Sequence, residues 1–167
     1  MRDGTPFDAA FVLGAGAVGS FLGARLSRVL PVTLVGRAAH VDAINRHGLR
    51  LTGQLDETVS VGAATELPDV PARALVIVAV KLRAVPEAAE LLARRARDDT
   101  VILTVQNGLD ADERVRRELA RCGHAGLVVV RMLTSCGCNL VRPGEVEYWG
   151  GGVTSPDSER AAPVADL

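Results

Sequence analysis

Six residues, Gly14-Ala15-Gly16-Ala17-Val18-Gly19, constrain this chain more than any other stretch. They follow an apolar run, Phe7 to Leu13, that reads as a short buried strand. They open a second apolar stretch, Ala17 to Leu30, that reads as a helix stopped by Pro31. A glycine spacing of this kind is a weak signal alone, but between a strand and a helix it has a physical reading. Gly14 permits the tight turn, Gly16 lets the backbone approach a phosphate, and Gly19 lets helix and strand pack closely. Free backbone N–H groups at the helix N-terminus then face an anion. The alternative is a glycine-rich packing turn that holds no ligand.

The alternation of strand and helix continues down the chain. Val32 to Val35 reads as a second buried strand, and Val41 to His47 as a helix capped by Gly48. Leu49 to Leu51 and Val59 to Val61 read as a small hairpin or a pair of edge strands. The run from Ala74 to Val80 is apolar at every position, the pattern of a strand covered on both faces. A helix from Pro86 to about Arg97, a strand from Thr100 to Val105, a helix from Asp110 to Arg121 and a strand from Leu127 to Val130 follow. Pro143-Gly144 marks a turn, with a strand from Val146 to Trp149 after it. This order predicts an α/β protein with a Rossmann-like, doubly wound, mostly parallel sheet over residues 1–154. Residues 155–167 read as a linker entering a further helix.

Composition removes several function classes. The 167 residues carry a net charge of −1, so no basic excess suggests nucleic acid. Aromatics are 3%, too few for a base-stacking module. No run approaches the ~20 apolar residues of a membrane span. Arg2 and the stretch from Ala9 to Ala24 imitate a signal peptide, but Asp3 and Asp8 occupy its basic region and spaced glycines break its apolar part. Cys122, Cys136 and Cys138 are an odd set, unlike a disulfide framework, which fits a reducing cytoplasm. With His124 they lack the Cys-x-x-Cys knuckle of a zinc site, so no metal is expected.

The end of the second strand bears on the ligand. Sites for NAD usually place Asp or Glu there, to accept hydrogen bonds from the ribose 2′-hydroxyl. This chain has Val35-Gly36-Arg37 instead, with no carboxylate to repel a 2′-phosphate and a guanidinium matched to its oxygens. NADP(H) is therefore the expected cofactor; a solvated arginine is the alternative. Lys81 is the only lysine among 19 basic residues and follows the buried strand at the edge where α/β sheets bind ligands. Asn107, in Gln106-Asn107-Gly108, follows the next strand and offers both a donor and an acceptor. Their alternatives are a chance surface lysine and a plain Asn-Gly turn.

Together these features resemble the ketopantoate reductase (2-dehydropantoate 2-reductase) family. The matching elements, in order, are Gly14 to Gly19, Gly36-Arg37, Lys81, Gln106-Asn107-Gly108, Leu133 to Cys138, and Pro143-Gly144-Glu145-Val146. The resemblance implies that Gly14, Ala15, Gly16, Ala17, Val18 and Gly19 hold the pyrophosphate and Arg37 the 2′-phosphate. It implies that Lys81 and Asn107 line the nicotinamide end near a 2-oxo acid substrate, and that the backbone at Cys138 touches cofactor. Ala84 stands where many members carry a polar residue. Members also carry an all-helical second domain that supplies the catalytic lysine. That domain is expected to be missing here, which leaves no catalytic residue in this chain and little activity in the chain alone. Homo-oligomerisation stays open. The rivals are an opine or glycerol-3-phosphate dehydrogenase relative and a module that senses NADP without chemistry.

Overall fold

The computed structural model describes residues 6–108 and 110–155, so the expected linker, apart from Ser155, lies outside the described residues. β1 (Ala9–Leu13) leads into α1 (Ala17–Leu26), β2 (Val32–Val35) and α2 (Ala38–His47). Three short strands follow: β3 (Leu49–Gly53), β4 (Glu57–Val59) and β5 (Gly62–Ala64). β6 (Ala74–Val78) passes through a 3-10 turn (Leu82–Ala84) into α3 (Val85–Arg95), and β7 (Val101–Thr104) precedes α4 (Ala111–Arg121). β8 (Val128–Arg131), β9 (Leu133–Thr134), β10 (Gly137–Arg142), β11 (Glu145–Gly150) and β12 (Val153–Thr154) complete the described chain.

Six strands form an all-parallel sheet in the order β5-β2-β1-β6-β7-β8. The chain winds outward from β1 through β2 to β5, then returns to β6 and winds the other way. The order therefore reverses between β1 and β6, the crevice where doubly wound folds take ligands. The uniform apolarity of β6 now has its reason. Leu75 and Ile77 lie on the side of Leu22 and Leu26 of α1, while Ala74, Val76 and Val78 share an apolar cluster with Ala89 and Leu92 of α3 and Val115 and Leu119 of α4. Each fully buried side chain of this size contributes about 1.5–3 kcal/mol, so the register of the central strand is strongly fixed.

A second sheet, β10-β11-β3-β4, covers the outer side of α1. Phe21 of α1 stacks on Tyr148 of β11, with ring centroids 4.2 Å apart and planes 10° from parallel. A buried histidine joins the layers. His40 of α2 accepts a hydrogen bond at Nδ1 from the Gly144 N–H (2.9 Å), and its Nε2 lies 2.9 Å from Ser20 Oγ of α1. An acceptor at Nδ1 places the proton on Nε2, so the neutral ring donates to Ser20. Burial lowers the pKa of His40 from its ordinary value, in keeping with that neutral form.

The structure departs from expectation at element ends. α1 stops at Leu26, not Leu30, because the Ser27 hydroxyl donates to the Ala24 carbonyl (2.8 Å) and the chain turns there. α2 begins at Ala38, three residues early. Gly62-Ala63-Ala64 is an edge strand of the main sheet although it holds no β-branched residue; pairing with Thr33 to Val35 makes it one. Of the hairpin and the pair of edge strands expected, β3 and β4 form the antiparallel hairpin, but its second strand is Glu57–Val59 rather than Val59 to Val61, and it belongs to the second sheet.

Candidate functional site

The glycine turn is fastened to the end of β2. The N–H groups of Gly14 and Ala15 both donate to the Val35 carbonyl (3.1 and 2.8 Å), and Gly16 N–H donates to Gly14 O (2.8 Å). The three glycines have three different reasons to be glycine. Gly14 has φ +107°, and a Cβ there would lie 2.8 Å from Val80 N and 2.9 Å from the Ala79 carbonyl carbon. A Cβ at Gly19 would lie 2.2 Å from Gly14 O and 3.0 Å from Ala79 Cβ. A Cβ at Gly16 would meet nothing within 4 Å. No contact among the described residues requires the bare backbone at Gly16, so the open space there is a cradle that a side chain would fill.

Gly16 caps α1 with extended backbone (φ −86°, ψ −164°), no side chain caps the helix, and no acidic residue occupies its first turn. The N–H groups of the first turn, at Ala17 and Val18, thus meet no competing anion from that turn. A pyrophosphate fits this cradle by charge and by space.

Gly36 and Arg37 sit beside it. Gly36 N–H donates to Ala64 O (3.0 Å), and a Cβ on Gly36 would approach Ala15 Cβ to 2.8 Å, so β2 and the turn are in close contact. Arg37 holds α2 through its carbonyl, which accepts from His40 N and Val41 N (both 3.0 Å). Its side chain is exposed, and among the described residues no carboxylate pairs with it. Other arginines of the chain are ion-paired, including Arg28 with Glu57, Arg95 with Asp69 and Arg116 with Asp112.

Lys81 and Asn107 reach the same edge from β6 and β7. Lys81 is exposed, and its carbonyl accepts from Ala84 N (2.8 Å), closing the 3-10 turn. Asn107 is exposed next to Gly108, whose carbonyl accepts from Arg131 at the end of β8 (2.6 Å). Leu82 Cδ1 lies 4.0 Å from the position of a Cβ on Gly108, so the loops after β6 and β7 touch. Gln106, read in the sequence only as part of a motif, is buried between these loops. Its Nε2 donates to Val80 O (3.0 Å), and its Oε1 accepts from the Thr104 hydroxyl. The signal available was Thr104-x-Gln106, two polar side chains two residues apart on a buried strand.

Cys138 lies on β10, opposite Tyr148, in the layer against α1. Burial pushes its thiol up to about 11. A groove of about 670 Å³ lies elsewhere, between α2, β3 and the β10–β11 turn. Its arginines, Arg50 and Arg142, are paired with Asp56 and Glu145, which leaves little charge for a ligand. No residue of the glycine turn lines that groove; the turn is marked by its chemistry.

Fold and turn together define a Rossmann-like α/β domain with a glycine-rich crevice at its topological switch point. The chain belongs to the ketopantoate reductase PanE/ApbA family, whose model matches residues 10–156. A 2-dehydropantoate 2-reductase of Pyrococcus horikoshii is 34% identical over 145 residues, covering 86% of this chain and 45% of that protein. The crystal structure of a PanE/ApbA family ketopantoate reductase from Ralstonia eutropha JMP134 has a TM-score of 0.75 at 29% identity, over 94% of this chain and 53% of that one. A 2-dehydropantoate 2-reductase from Geobacter metallireducens GS-15 gives 0.78 at 26% identity, again over 94% and 53%. The chain thus spans about half the length of the relatives it matches.

Proposed function

We propose that this chain is the NADP(H)-binding part of an enzyme that reduces a 2-oxo acid, with 2-dehydropantoate, reduced to pantoate, as the substrate. The observation that carries the reading is the pairing of open space over Gly16, where a Cβ would meet nothing within 4 Å, with an exposed Arg37 that no carboxylate pairs with among the described residues. The backbone from Gly14 to Gly19 holds the pyrophosphate, and Arg37 takes the 2′-phosphate in a planar, charge-assisted contact. Lys81 and Asn107 face the nicotinamide end, where an ammonium and an amide orient an anionic oxo acid. The backbone at Cys138 is a further contact by family resemblance. When bound, the cofactor supplies the hydride for the ketone carbon. Proton donation belongs, in this reading, to the part of the relatives that these residues do not span. Three free thiols fit a cytoplasmic setting.

Fluorescence titration of the chain with NADPH and NADH tests this. NADPH should bind more tightly, and Arg37→Asp should abolish or reverse the preference. Equal affinity of the unaltered chain for both would remove the Arg37 assignment.

A further inference from the structure

Gln106 is the buried polar side chain that joins the two loops carrying the exposed Lys81 and Asn107. It is 9% exposed, and Thr104 beneath it is 0% exposed. A carbonyl can only accept, so the amide nitrogen of Gln106 must face Val80 O, and its oxygen must face the Thr104 hydroxyl. The orientation is therefore fixed by chemistry on both sides. On its other side the Val80 backbone runs close against the glycine turn, where a Cβ on Gly14 would lie 2.8 Å from Val80 N. The peptide group that Gln106 grips is the one joining Val80 to Lys81. Rotation of that peptide plane swings the Lys81 backbone, and with it the ammonium.

We propose that Gln106 is a positioning residue. Through the Val80 carbonyl it fixes the Val80–Lys81 peptide plane and so aims Lys81 at the nicotinamide end of the site. The inference rests on the cofactor reading above for what Lys81 faces, but not for the grip itself. It predicts an effect local to one end of the ligand. The glycine turn and Arg37, which hold the pyrophosphate and 2′-phosphate in that reading, make no hydrogen bond to Gln106 among the described residues.

The test uses the whole chain with Gln106→Met, which keeps the bulk and removes both hydrogen bonds. Gln106→Glu is the second variant. It keeps the acceptor for Thr104, but its carboxylate faces the Val80 carbonyl until it is protonated. Amide exchange over residues 79–84 should quicken in Gln106→Met relative to strands β1 and β7. In Gln106→Glu it should return toward the unaltered chain in acid, when the carboxyl can donate. The Kd for NADPH should rise about tenfold, the loss of one hydrogen bond to an organised group. The Kd for adenosine 2′,5′-bisphosphate, which lacks the nicotinamide, should not change. Adding Lys81→Met to Gln106→Met should weaken NADPH no further than Lys81→Met alone.

Unchanged exchange over 79–84 would overturn the proposal. So would equal weakening of NADPH and the bisphosphate, since the loss would then come from the fold. If the unaltered chain binds neither ligand, the cofactor reading fails separately, and the exchange rates still decide whether Gln106 fixes the peptide.

Discussion

His40 gives the sharpest link between acidity and stability. The neutral ring is held by a donor, Gly144 N–H, at Nδ1, while Nε2 donates to Ser20. A second proton has to enter at Nδ1, where it would confront that N–H. Burial lowers the pKa in the folded protein below 6.5, so the unfolded chain takes the proton first as pH falls. The contribution of His40 is complete above 6.5 and declines as pH drops from there to the folded pKa. Its slope within that window is bounded by about 1.4 kcal/mol per pH unit, the limit for one proton. His40→Ala should cost about 3 kcal/mol at neutral pH, because it leaves the Gly144 N–H and the Ser20 hydroxyl without a partner at about 1–3 kcal/mol each, less what entering water restores. Urea unfolding followed by circular dichroism, at steps of pH through and below 6.5, reads both quantities. The variant should lack the part of the pH dependence that His40 supplies. A variant curve parallel to that of the unaltered protein through that window would refute the tautomer and the burial argument together.

Other outcomes follow from the site and core. Gly14→Ala should lower stability by about 2 kcal/mol or more and weaken NADPH binding, since it combines positive φ with contact against the Ala79–Val80 backbone; thermal melts and titration read the two effects. Phe21→Ala should cost about 3–5 kcal/mol in urea titration, as it empties the space between α1 and the second sheet and removes the Tyr148 stack. With its thiol pushed up to about 11, Cys138 is almost entirely protonated in mild base. Peptide mapping should find it alkylated about a hundredfold more slowly than free cysteine, in proportion to its thiolate.

The core of the fold is readable in the sequence where one physical signal dominates. The apolar run of β6 needs two covered faces, and helices on both sides provide them. The glycine turn is readable because each glycine answers a separate demand. The second sheet is not, since β3 finds its partner in β11, far along the chain, and no local pattern records that pairing. β5 is hidden for a related reason: its three small residues become a strand only through β2. His40 and Gln106 escape because a buried polar residue declares itself only when its partners are known. Both lie among apolar neighbours, and their partners come from Gly144, Ser20 and Val80 on other elements.

The parallel pairing of β3 with β11 sets an order of events during synthesis. Arg50 and Leu51 leave the ribosome long before Glu145 and Val146, which they pair with. Until then the outer side of α1, with Phe21, has no Tyr148 to cover it. The nascent chain therefore carries a bare apolar helix face and an unpaired strand edge at β3 until residues 145–150 have emerged. Long-range closure of this kind comes late in folding and leaves sticky intermediates. Holdase chaperones should find their target at α1 and β3, and release it when the β10–β11 hairpin closes over them.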